Sequence, residues 1–195
     1  MGSLTSRENQ LTSLDLEMIK ISWSFVKDRQ DLGLNTMIRY ILMKKKNSLL
    51  SAQYLYLNCR IFESSNEIKQ LFMTAGSLVL VSDSIEITLL NYHANQIIKT
   101  FDKIVILFTE SLITQKDKEK LVELGKRHYH YGLKKEDFII FENCFIKSLE
   151  ESLQVHMFKE KFENPWRKLI RYIFKKYTNG MNFQKKEELK YKNNL

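Results

Sequence analysis

The sequence predicts a single all-α domain, and three observations carry that prediction. One proline and six glycines are spread over 195 residues, too few breakers for anything but long helices. Apolar side chains recur at steps of three and four along most of the chain. Hydrophobic residues make up 44%, with 12 Phe, 9 Tyr and 2 Trp, enough for a core that buries roughly two thirds or more of the unfolded surface.

The first helix opens at Thr12, whose hydroxyl caps it while Asp15 reaches back from three residues on. Leu16, Ile19, Trp23 and Val26 then define one buried face. A second helix contains Gly33 to Arg39. Residues 77 to 83 read as an irregular connection. From Ile87 to Phe108 a long helix carries His93, Ile97, Phe101, Ile104 and Phe108 on one face, apolar except for the histidine. After a charged lead-in, Lys116 to Lys120, the residues Leu121, Leu124, His128 and Tyr131 repeat the pattern, and Gly132 closes the helix in a left-handed conformation. His130 lies about 200° round from His128 and faces water.

Phe138, Phe141, Phe145, Leu149 and Leu153 stripe the next helix. Asn164 and Pro165 cap and start the last, with Trp166, Leu169, Ile170, Ile173 and Tyr177 inward. Asn179-Gly180 is a stop signal, so residues 181–195 read as a polar, basic tail. His156 reads as structural or exposed.

Charge and cysteine usage bound the function classes. Cys59 and Cys144 have no metal-ligand spacing and are too few for a disulfide framework, so both are expected as free thiols in a reducing, cytoplasmic setting. The longest runs without a charge, 47–59 and 70–82, are 13 residues each. A spanning helix needs about 20, so a soluble protein is expected. The net charge of +8 concentrates at Lys44 to Lys46 and from Arg167 to Lys192. No zinc spacing or aromatic RNA-binding motif accompanies it, which argues against nucleic acid. The opening Met1-Gly2-Ser3-Leu4-Thr5-Ser6, within a leader of residues 1–10, fits the pattern for myristoylation of Gly2. One acyl chain holds a membrane only marginally, and the basic tail would be the second signal. That combination would place the protein on the inner face of the plasma membrane.

His93 and His128 are the candidate functional residues. A histidine on an apolar face is ordinarily a core residue with a hydrogen-bond partner, and a phenylalanine such as Phe72 at the end of an apolar run is ordinarily core as well. A metal ion is the other partner an inward imidazole can take. Gly125 and Gly132 form no G-x-G-x-x-G, and no flavin or dinucleotide motif is present, so a redox enzyme would depend on a partner reductase.

The phrase Leu124 to Phe138, LGKRHYHYGLKKEDF, closely resembles the proximal region of globins, and His93-Ala94-Asn95-Gln96-Ile97 is similar to their distal helix. The opening Leu11-Thr12 to Ser22-Trp23 and the phrase GLNTMIR at residues 33–39 resemble their first and second helices. A matching continuation of GLNTMIR comes only after Arg60, as IFESSNEIKQLF. Residues 40–60 therefore read as an insertion of 21 residues in a globin domain spanning residues 11–180. Two origins are open: intron sequence retained between the two arginines, or a genuine extension of the helix. The distal residue of that helix is correspondingly Met37 or Asn58.

What the resemblance implies is a globin fold, with helices packed in pairs at steep angles round haem b. It makes His128 the proximal iron ligand, its ring fixed by a hydrogen bond to the Leu124 carbonyl four residues back. It makes His93 the distal residue, either donating to O2 or another diatomic gas, or itself a sixth ligand in a bis-histidyl centre for electron transfer with a redox partner. Ile97, Leu133, Phe138 and Phe72 would line the haem. A haem-less helical interaction module is the third reading, because the insertion falls in a pocket wall. Otherwise the expectation is a non-enzymatic oxygen-binding protein for transport, storage or sensing.

Overall fold

A computed structural model describes residues 10–44, 83–154, 156 and 158–193. Phe72, Asn58, Cys59 and Gly2 lie outside the described residues. Within them there are seven helices and no strand: α1 (Ser13–Val26), α2 (Gln30–Lys44), α3 (Asp83–Thr109), α4 (Gln115–His130), α5 (Lys135–Leu153), α6 (Phe158–Lys161) and α7 (Glu163–Asn193). None of these helices is long and apolar enough to cross a membrane.

The capping expected at Thr12 is present. Thr12 Oγ1 accepts from the Asp15 amide at 3.1 Å, and Asp15 Oδ2 accepts from the Thr12 amide at 2.8 Å. Ile19, Trp23 and Val26 are buried along the inner face of α1. Three polar links then fix α1 to its neighbours. Lys168 of α7 meets Asp15 at 2.9 Å. The Trp23 indole donates to Asp102 of α3 at 2.8 Å, and the Trp166 indole of α7 donates to Ser22 Oγ at 2.9 Å. A buried indole N–H without such a partner costs about 1–3 kcal/mol, and a buried carboxylate more, so these links fix the register in which the apolar faces meet.

The main core gathers Ile19, Trp23, Phe101, Phe145, Trp166 and Leu169 with the apolar side chains around them. Phe101 stacks on Phe145 with ring centroids 4.3 Å apart. Glu142 of α5, buried, takes both Arg167 and Arg171 of α7 at 2.8 and 2.9 Å. A smaller cluster holds α2 against α3 and α5 through Met37, Tyr40, Leu90, Ala94 and Cys144. Gly33 allows this contact, because a Cβ there would lie 2.6 Å from the Ala94 carbonyl oxygen.

Three expectations are corrected. Gly180 does not stop the last helix, which continues to Asn193. Its missing side chain serves instead to let α4 approach, since a Cβ would lie 2.0 Å from the Val122 carbonyl oxygen. Residues 181–193 are consequently helix and not a frayed tail. The same helix starts at Glu163, with Asn164 already inside its first turn. Lys116 to Lys120 belong to α4 itself, which Thr114 caps in a box with Asp117. The second helix, read from Gly33 to Arg39, runs through Arg39 to Lys44, and Arg39 pairs with Glu151 of α5.

Candidate functional site

One cavity opens where α2, α3, α4, α5 and α7 converge, lined by members of both apolar clusters. His93, Ile97, Leu124, His128, Leu133 and Phe138 all line it. The structure thus brings together every sequence-derived site residue that it describes. Helical periodicity is the reason for α3: steps of four put His93, Ile97 and Phe101 on one face.

On α4, Leu124 and His128 share a face for the same reason, and the backbone does more. The Leu124 carbonyl accepts from His128 Nδ1 at 2.8 Å. A carbonyl only accepts, so Nδ1 carries the proton and Nε2 is left with its lone pair. Burial pulls the His128 pKa below the ordinary histidine value, against the opposing pull of the Leu124 hydrogen bond. The ring is therefore neutral at pH 7. Tyr177 and Tyr131 flank it, with centroids at 5.4 and 5.8 Å.

The end of α4 positions the next wall. Gly132 has φ +78°, a conformation natural to glycine. The Gly132 amide donates to the Tyr129 carbonyl at 3.0 Å and the Leu133 amide to the His128 carbonyl at 3.3 Å. That turn returns the chain so that Leu133 and Phe138 face the cavity. Phe138 stacks on Phe174 of α7 at 4.6 Å. His130 is exposed, as is His156, in agreement with their reading from sequence.

His93 stands on the α3 wall. Desolvation, with a smaller contribution from His128, lowers its pKa to about 4, so it too is neutral at pH 7. Met37 of α2 lines the cavity. Four polar residues there were not anticipated, Gln96 and Thr100 of α3 together with Tyr40 and Asp137. Tyr40, first residue of the segment read as inserted, is buried in the wall, and its phenol is pushed well above the usual range by burial and by the nearby Asp137 charge. Asp137 is buried at the start of α5, where Oδ2 accepts the Lys134 amide at 2.8 Å. Lys134 is not a capping residue type, and nothing in the sequence marked Asp137 as a helix-start carboxylate beside a cavity.

Among the described residues no group of three or more His, Cys, Asp or Glu is placed to hold a bare metal ion. Two neutral imidazoles in one cavity supply donors for a metal already held in a planar ring. The aromatic and aliphatic side chains around them suit a flat apolar macrocycle. The residues present therefore fit haem.

Comparison with known proteins agrees with this geometry. The family model described as Globin matches residues 57–177. No curated protein and no solved structure matches the chain.

Proposed function

Since this chain belongs to the globin family, we propose that it holds haem b between His128 and His93 and takes up O2 or another diatomic gas reversibly. The observation that carries the reading is the His128 ring, whose tautomer is set by the Leu124 carbonyl so that Nε2 offers a lone pair. Haem b supplies, when bound, an iron that accepts one imidazole and leaves a sixth position for a gas. The chain does the rest. Leu124, Leu133 and Phe138 restrain the proximal ring and its surroundings, while Ile97 and Phe101 keep the distal side apolar and exclude water. His93, neutral at pH 7, offers a ring N–H to a polar diatomic held beside it.

That His93 and His128 line the same cavity favours a second reading in which both imidazoles ligate the iron. Such a centre suits electron transfer or redox signalling with a partner protein. The visible spectrum of the ferrous, gas-free protein separates the two: a five-coordinate high-spin signature supports gas binding, and a six-coordinate low-spin one supports the bis-histidyl centre. His128→Ala should abolish the proximal-histidine signature and weaken haem retention. Unchanged retention and spectrum would refute the ligand assignment. Failure of the unmodified protein to give a Soret band after reconstitution would leave the helical interaction module.

A further inference from the structure

Most of the chain's net charge sits on one helix. α7 carries nine Lys and Arg against three Glu, a net +6 of the total +8. In its first half every cation but Lys175 is engaged: Arg167 and Arg171 on Glu142, Lys168 on Asp15, and Lys176 over the Tyr172 ring. In its second half the two acids are engaged on the other side. Glu187 takes Lys190, while Glu188 accepts the Tyr129 hydroxyl at 2.9 Å and faces His130. Lys175, Lys185, Lys186 and Lys192 are exposed and make no ion pair among the described residues.

At about 100° per residue these four lysines fall within an arc of roughly 120° that contains no acid. Leu189, 50% exposed, lies at its centre, and Phe183, 52% exposed, lies about 60° beyond its edge, beneath Lys126. Lysines alone would suit any anion. A half-exposed Leu189 among them, with Phe183 to one side of the arc, suits a surface that also accepts apolar groups, which is the character of an interfacial helix on anionic lipid. We propose that the outer arc of α7, from Lys175 to Lys192, docks on an anionic membrane surface. This holds whichever haem chemistry the cavity supports.

The test is co-sedimentation of the full-length haem-loaded protein, produced without acylation so that the helix acts by itself. Vesicles of phosphatidylcholine are compared with vesicles of phosphatidylcholine and phosphatidylserine. Binding is expected only to the second kind, and it should be lost at high salt. A lysine near such a surface is worth about fivefold in partitioning, so replacing Lys175, Lys185, Lys186 and Lys192 together by alanine should lower binding at least roughly tenfold. None of the four lines the cavity, so the haem spectrum should not change. Equal binding to both vesicle types, or undiminished binding of the variant, overturns the proposal. So does absence of vesicle binding, and retention on poly-glutamate in that case would assign the arc to an acidic protein.

Discussion

Gly125→Ala tests the packing that places His128. Gly125 lies three residues before His128 on α4 and faces α7, where a Cβ would come 2.2 Å from the Tyr177 carbonyl oxygen and 2.6 Å from its Cα. Both obstacles are backbone, so no side-chain rotation relieves them. Moving from 2.2 Å to the 3.4 Å of ordinary contact requires the helices to part by about 1.2 Å. Two effects oppose each other. Alanine in a helix interior is favoured over glycine by about 1 kcal/mol, whereas overpacking a close crossing costs about 1–3 kcal/mol. The steric effect should win because Gly180 makes the same crossing tight one turn further along, at 2.0 Å from the Val122 carbonyl oxygen. The expected net loss is up to about 2 kcal/mol, or up to roughly 8 °C in Tm for a chain of this size. Thermal unfolding followed by circular dichroism reads it. Gly132→Ala is the control: nothing lies within 4 Å of its Cβ, and only the positive φ opposes it. Both variants should lose stability, but Gly125→Ala alone should also perturb the haem spectrum by displacing α4. If Gly125→Ala matched or exceeded the parent protein in stability, the crossing would be looser than described and the reasoning refuted.

Ser22→Ala should cost about 1–3 kcal/mol in urea unfolding, because it strands the buried Trp166 indole N–H; Ser24→Ala, on the exposed side of α1, should be near neutral. The cofactor-free protein should lose stability as pH falls. His93 has a folded pKa of about 4 against 6.5 unfolded, so between those values the unfolded chain takes up a proton that the folded one refuses. The contribution is complete above pH 6.5, declines towards pH 4 by at most about 3 kcal/mol, and is flat below. Denaturant titrations of the parent and of His93→Gln at pH 7, 5.5 and 4 check this, and parallel pH slopes would count against it.

Local patterns made much of this molecule legible. The inward stripes of α1, α3, α4 and α5 follow from spacing alone, and the His128 to Leu124 hydrogen bond follows from the i to i−4 geometry of one helix turn. The end of α7 was not legible. Asn179-Gly180 is locally indistinguishable from a helix stop, and only the presence of α4 against Gly180 turns the missing side chain into a contact. The residues beyond it then find tertiary partners, Phe183 under Lys126 and Glu188 against Tyr129. Asp137 was missed for a similar reason: a helix-capping carboxylate looks the same in sequence whether it faces water or a cavity.

Tyr40 bears on how the interrupted segment acts on the site. The family match begins at residue 57 and leaves α1 and α2 outside it, yet α2 supplies Met37 and Tyr40 to the cavity wall. A chain joining Arg39 directly to Ile61 would place an isoleucine at the helical register that Tyr40 holds. Both side chains are large enough to close the wall, so the pocket does not depend on the extra residues for its shape there. The chemistry differs. With Tyr40 the wall carries a phenol that burial and Asp137 keep protonated, a second potential donor besides His93; with Ile61 it carries none. At this one position the extra segment thus bears on how polar the cavity wall is, and the polarity of a haem pocket is one of the levers that decide between O2 binding and electron transfer.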